Sequence, residues 1–198
     1  VSKLKEEYGE ERAQAIFESL LVRNKASIRV TDLGRKEEIK TLLEASDSPL
    51  SVSGLVKEQG HFAGHDLFAE GAITIQDESS QLVAPTLDLQ GDEQVLDACA
   101  APGGKTAHIA SYLTTGQVTA LDLYDHKLDL IQENAQRLGV AERVQTQKLD
   151  ARKVHELFGQ NSFDKILVDA PCSGIGLLRR KPDIKYNKET ADFASLQE

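Results

Sequence analysis

The 198 residues include no methionine and only two cysteines, Cys99 and Cys172. The cysteines lack CxxC spacing, so they suggest neither a zinc site nor a disulfide framework. The five histidines show no ligand spacing with acids or cysteines. His61 and His65 are four apart, but Gly60 and Gly64 disfavour a helical metal pair, so no metal is expected. No apolar run approaches the ~20 residues of a membrane span. Val1-Ser-Lys-Leu-Lys-Glu-Glu lacks the apolar core of a signal peptide. These absences lead us to expect a cytoplasmic protein with no membrane segment. The missing methionine, initiator included, leads us to expect a fragment of a longer chain.

What is present is ordinary for a globular protein, with 40% hydrophobic and 28% charged residues. The length allows one ample domain, or one domain and a smaller neighbour. A net charge of −9 disfavours bulk electrostatic binding to nucleic acid. That charge is uneven: between Ala151 and Thr190, eight Lys/Arg face five acids, and Arg179-Arg180-Lys181 is the densest basic point.

Apolar spacing predicts a helix over residues 1–20, carried by Leu4, Tyr8, Ala15, Phe17 and Leu20. Ser27–Thr31 and Gly71–Gln76 alternate as strands, and Arg35–Ala45 reads as an amphipathic helix with Ile39, Leu42 and Leu43 on one side. Residues 1–75 thus read as a small α+β unit. Asp77-Glu-Ser-Ser80 suits the cap of a helix from Gln81 to Leu87. From there strands and helices alternate. Strands are expected over 95–98, 116–122, 143–148 and 163–169, and helices over 106–113, 125–138, 153–158 and from 188 onward, with Gly139 as a C-cap. Residues 76–198 therefore read as an open parallel α/β sheet.

All four strands deliver an acid at their carboxyl ends: Asp97, Asp122, Asp150 and Asp169. One such acid is an ordinary turn residue. Four in register mark the edge where open α/β sheets bind ligands. The first strand leads into Asp97-Ala-Cys-Ala-Ala-Pro-Gly-Gly-Lys-Thr106, whose end resembles a phosphate-binding loop. That loop needs a glycine five residues before Gly104, where Cys99 stands, and Pro102 stiffens what should wrap phosphates. The dinucleotide pattern fails for want of a third glycine. Asp122 does lie where a ribose-binding acid belongs. The turn suits a nucleoside with no phosphates to cradle, and S-adenosylmethionine fits, with Asp122 for its ribose and Asp150 for its adenine.

With Asp169-Ala-Pro-Cys-Ser-Gly-Ile-Gly176, the turn resembles the Sun/Fmu family of RNA 5-methylcytosine methyltransferases. Ile75-Gln-Asp-Glu-Ser-Ser-Gln81 and Arg179-Arg-Lys-Pro-Asp183 match segments flanking those motifs in the family. The chain is most similar to the bacterial members that methylate small-subunit ribosomal RNA. The resemblance implies a class I, Rossmann-like methyltransferase sheet, C-terminally incomplete, after a small RNA-binding subdomain. It implies cofactor contacts from Cys99, Ala100, Ala101, Pro102, Gly103, Gly104, Lys105, Asp122, Asp150 and Asp169, and RNA contact from Arg179, Arg180 and Lys181. Asn24 and Arg29 fall in the family's substrate-side segment, although Thr31 stands where an asparagine is common.

Carbon 5 of cytosine is a poor nucleophile until a thiolate adds to carbon 6, so covalent catalysis is required on an unstacked base. Chemistry alone points to Cys172 as that thiol. The resemblance instead gives the Pro-Cys cysteine a part in product release and places the attacking cysteine in a Thr-Cys motif beyond Glu198. The fragment is therefore expected to bind cofactor without turning over. Two other readings stay open. One is a non-catalytic RNA-binding or assembly factor that keeps the fold. The other is a methyltransferase for another RNA atom, disfavoured because adenine-N6 enzymes carry Asn/Asp-Pro-Pro-aromatic where this chain has Asp-Ala-Pro-Cys.

Overall fold

Gly9 decides how the chain begins. Apolar spacing predicts one helix through residue 20, but the structure, a computed structural model that describes residues 2–22, 25–172, 174, 177 and 182–186, has two. They are α1, Ser2–Tyr8, and α2, Glu10–Ser19. Gly9 between them takes φ 78° and ψ 166°, a region glycine enters without steric cost. The break resets the helical phase, so Ala13, not Ala15, is the buried residue of α2. These helices belong to a compact unit of Val1–Lys25 with Pro171–Glu198, which also includes a 3-10 turn at Pro182–Lys185. Asn24, Arg179, Arg180, Lys181 and the helix expected from 188 onward lie outside the described residues.

Ala26–Ala170 form the second unit. Its first part is an antiparallel sheet of β1 (Ala26–Val30), β2 (Ser46–Asp47), β3 (Gly54–Lys57) and β4 (Ile73–Ile75), in the order β2-β3-β1-β4. Alternation along β1 sends Ile28 and Val30 to one face. There they pack with Leu55, Ile73, Phe62 and Leu67 and with Ile39 and Leu43 of α3 (Lys36–Leu43). Leu42, expected on that side, is 60% exposed, because the buried positions are the pair four residues apart. The opposite face of this sheet is polar: Arg29 pairs across to Thr74, and Gln76 follows one step along. Strands β2 and β3 and the short helix α4 (Asp66–Ala69) have no expectation behind them, since glycines and polar residues break their pattern.

The helix expected over 81–87 is two single turns, α5 (Glu78–Gln81) and α6 (Val83–Thr86). Pro85 has no N–H for the carbonyl of Gln81, which divides them. Asp77 precedes α5, but its side chain makes no capping hydrogen bond there.

The parallel sheet follows as β5 (Gln94–Asp97), α7 (Gly104–Ala110), β6 (Gln117–Asp122), α8 (Asp125–Arg137), β7 (Val144–Lys148), α9 (Val154–Leu157) and β8 (Lys165–Leu167). Its order is β7-β6-β5-β8, all parallel. Val95, Val118, Ala120 and Val144 from the strands meet Ala107, Ile109, Ala110, Ile131 and Ala135 from the helices in one core. Small alanines on α7 and α8 let those helices lie close to the sheet. Gly139 ends α8 with φ 71°, as a C-cap glycine should. The chain runs outward from β5 to β6 and β7, then returns to the other side of β5 for β8. That reversal opens a crevice at the carboxyl ends of β5 and β8, where doubly wound sheets bind ligands.

Candidate functional site

The turn after β5 is held from three sides. The Ala98 amide donates to the Leu167 carbonyl at the end of β8 (2.9 Å), and the Ala100 amide donates to the Leu121 carbonyl in β6 (3.0 Å). Gly103 closes the turn, its amide donating to the Ala100 carbonyl at 2.7 Å. With φ 98°, Gly103 sits where a Cβ would come 2.9 Å from Cα of Ile131 in α8. A side chain has neither the conformation nor the room there. Gly104, by contrast, has nothing within 4 Å of a Cβ position, so its free side opens into space.

That space is a cavity of about 210 Å³ lined by Asp97, Cys99, Ala100, Ala101, Pro102, Gly104, Lys105 and Asp169, and by Ile75, Gln76, Asp77 and Ser80. Asp97 is 1% exposed. One carboxylate oxygen accepts from Thr106 Oγ1 at 2.7 Å, while Oδ1 is buried without a hydrogen-bond partner. Burial pushes the Asp97 carboxyl up to about 6, against the opposing pull of the Thr106 hydroxyl and the nearby Cys99 amide. Lys105 Nζ and Asp169 Oδ2 form an ion pair at 2.5 Å across the crevice. The cavity thus offers an unsatisfied acceptor, a carboxylate and an ammonium within one small space.

Most of the residues read from the sequence as cofactor contacts therefore converge. Gly103 does not line the cavity, because it is turned against α8. Asp122 and Asp150 stand at the ends of β6 and β7, next along the same edge, and they too are outside the lining. Asp122 Oδ1 accepts from the Tyr124 amide (3.2 Å) and lies 3.6 Å from Lys127 Nζ. Asp150 Oδ1 accepts from the Arg152 amide (3.0 Å), and the Arg152 guanidinium grips both carboxylate oxygens, holding this carboxyl at about 2.

Asp97 itself and the wall from Ile75 to Ser80 were not among the expected contacts. Ile75–Gln81 is visible in the sequence as a motif, but only the tertiary structure lays it against the turn. Arg29 is the opposite case, expected on the substrate side yet 2% exposed. Its Nε donates to Gln76 Oε1 (2.8 Å), and burial lowers its guanidinium to about 10. It supports the cavity wall from behind. His108 on α7, also 2% exposed, is held neutral by burial and by Arg29, down to about 3.

The two cysteines differ in setting. Cys99 lines the cavity, half-buried, and its thiol is pushed up by burial and by Asp97, Asp122 and Asp169. Cys172 is exposed and belongs to the other compact unit. Thiolate, not thiol, reacts with alkylating agents. Iodoacetamide at pH 7.5 is therefore expected to modify Cys172 before Cys99, as read by peptide mass mapping over time; equal rates would contradict the assigned environment of Cys99. Among the described residues, no three His, Cys, Asp or Glu side chains gather as a metal site, and no helix is long and apolar enough to cross a membrane.

A parallel sheet in this order, with an acid-flanked glycine turn after its first strand, is the doubly wound nucleotide-binding arrangement, and the relatives of this chain make it a class I methyltransferase fold. Residues 84–198 match the family described as 16S rRNA methyltransferase RsmB/F. The chain belongs to that family. It is 46% identical over 198 residues to the probable ribosomal RNA small subunit methyltransferase B of Bacillus subtilis, covering 96% of this chain and 44% of that protein. Two solved structures resemble it closely. The crystal structure of PH0851 superposes with a TM-score of 0.88 at 30% identity, covering 98% of this chain and 46% of that one. A methyltransferase homolog from Pyrococcus horikoshii superposes with a TM-score of 0.73 at 32% identity, covering 90% and 61%. The chain thus spans less than half the length of its Bacillus relative.

Proposed function

We propose that this chain holds S-adenosylmethionine for methyl transfer to carbon 5 of a cytosine in small-subunit ribosomal RNA. The observation that carries the reading is the cavity where β5 and β8 part, with the orphaned Asp97 Oδ1 beside the Lys105–Asp169 pair. An α-amino-acid tail needs acceptors for its ammonium and a cation for its carboxylate. Asp97 and Asp169 supply the first and Lys105 the second, while Gly104 leaves room for the ligand's approach. In this reading Asp122 and Asp150, further along the edge, take the ribose and the adenine. When bound, the cofactor supplies an electrophilic methyl group on a sulfonium. The chain's own part is to orient that group and to exclude water from the turn.

In this reading residues 1–75 provide the small RNA-facing subdomain, and Arg179, Arg180 and Lys181 meet RNA phosphates. The family likeness assigns the attacking thiol to a Thr-Cys cysteine. Here Cys99 follows Ala98 and Cys172 follows Pro171, so neither matches. Cys172 is assigned to product release.

The test is incubation with methyl-labelled cofactor and 16S RNA, read by equilibrium binding and by nucleoside analysis. Cofactor is expected to bind, and little or no label to enter the RNA. Label at carbon 5 of cytosine would return the attack to Cys172. Label on another nucleoside, or tight binding of ATP or NAD in place of the cofactor, would overturn the proposal.

A further inference from the structure

One arginine ties the polar face of the small sheet to the helix that braces the cofactor turn. Arg137, in the last turn of α8, donates from Nη1 to the carbonyls of Phe68 (2.8 Å) and Ile73 (3.3 Å), and from Nη2 to Thr74 Oγ1 (3.2 Å). Its guanidinium lies 4.0 Å over the Phe68 ring. Nη2 also donates to Oδ1 of Asn134 at 3.0 Å. The other end of that amide, Asn134 Nδ2, donates to the Pro102 carbonyl at 2.8 Å. Pro102 lines the cavity, and its neighbour Gly103 rests on Ile131. Ile131, Asn134 and Arg137 recur every third residue, so one face of α8 touches both the turn and the small sheet.

An asparagine amide has a donor end and an acceptor end of nearly equal shape, and its surroundings decide which way it faces. Here a charged donor occupies the oxygen, a stronger bond than a neutral one, so the NH₂ must face Pro102. Without Arg137 the amide is free to turn and the Pro102 carbonyl to lose its partner. We propose that Asn134 and Arg137 are positioning residues that set the cofactor turn, and that they make cofactor affinity sensitive to the small sheet at Thr74. The inference rests on the reading of the turn as the S-adenosylmethionine site.

The experiment is calorimetric titration of the 198-residue chain with S-adenosylmethionine, comparing wild type, Asn134→Ala, Thr74→Val and the double variant, with thermal unfolding to show that each is folded. Asn134→Ala is expected to raise Kd about fivefold, the equivalent of one ordinary hydrogen bond of ~1 kcal/mol. Thr74→Val, which only exchanges a hydroxyl for a methyl at a residue outside the cavity lining, is expected to raise Kd in the same direction. The double variant should bind no more weakly than Asn134→Ala, because both changes act through one path. If Asn134→Ala does not fold, Thr74→Val alone carries the test. Unchanged affinity in Thr74→Val overturns the coupling, as do fully additive effects. Absence of binding by wild type instead removes the cofactor reading, and this inference with it.

Discussion

Asp97→Asn is expected to make the protein more stable at pH 8 and, on the proposed reading of the site, a weaker binder of S-adenosylmethionine. The wild-type carboxyl is buried, with Oδ1 unpartnered, and burial raises it from an ordinary 3.8 to about 6. Such a group favours the folded state while protonated. Its contribution is fully present below pH 3.8 and is lost as pH rises through about 6. At pH 8 the folded protein therefore carries a buried anion at a cost of about 3 kcal/mol, taking 1.36 kcal/mol per pH unit. Asparagine keeps the shape and an oxygen for the Thr106 hydroxyl but has no charge to bury. Its gain should be largest at pH 8 and disappear near pH 4, a difference in unfolding midpoint of roughly 2–4 °C per kcal/mol for a chain of this size. Cofactor affinity should fall at least about tenfold at neutral pH, the scale expected when a charged acceptor is removed. A midpoint difference that does not change with pH would remove the buried-anion argument. Unchanged affinity would remove Asp97 from the site.

Gly71→Ala is expected to be the most damaging small substitution outside the cavity. Gly71 has φ 75°, and a Cβ there would stand 1.9 Å from the Arg137 carbonyl oxygen and 3.0 Å from its carbon. Those are backbone atoms of α8 and cannot swing aside. The left-handed conformation costs a non-glycine residue ~1–2 kcal/mol, and moving the end of α8 weakens the Arg137 hydrogen bonds, each worth ~1 kcal/mol. A loss of ~3 kcal/mol or more is expected in urea unfolding. Gly139 is the matched control, with φ 71° but nothing within 4 Å of a Cβ position. Gly139→Ala should show only the conformational part, ~1 kcal/mol. Equal costs at the two positions would refute the steric account.

The parallel sheet was legible because β5, β6 and β8 fall on short apolar runs, an acid ends or follows every strand, and helical segments lie between. Strand β7, Val-Gln-Thr-Gln-Lys, shows only by its place in that alternation. The β5 turn was legible because adjacent glycines, a proline and a lysine exclude the phosphate and dinucleotide loops by chemistry alone. The small sheet was read only in part. Ser27–Thr31 alternates plainly, but β3 is four residues beginning with glycine and β2 is two polar ones, too short for any period to show.

Arg29 marks where residue type misleads. An arginine is expected to be exposed, yet this one lies on the inward polar face of a strand and holds Gln76 from behind the cavity. Periodicity says that a strand has two faces; it does not say what covers the second.

Local chemistry, spacing and turn geometry act over a few residues and can be read along the chain. They determined the class of fold, the acids at the strand ends and the family likeness. Which acid is buried with an unpaired oxygen, and which already has a basic partner, depends on packing between segments far apart in sequence. The tertiary structure alone decided that Asp97 is the orphan, that Ile75–Ser80 close the cavity, and that Asn134 and Arg137 join the turn to the small sheet. Burial and hydrogen-bond satisfaction are properties of the assembled surfaces, and no stretch of chain carries them alone.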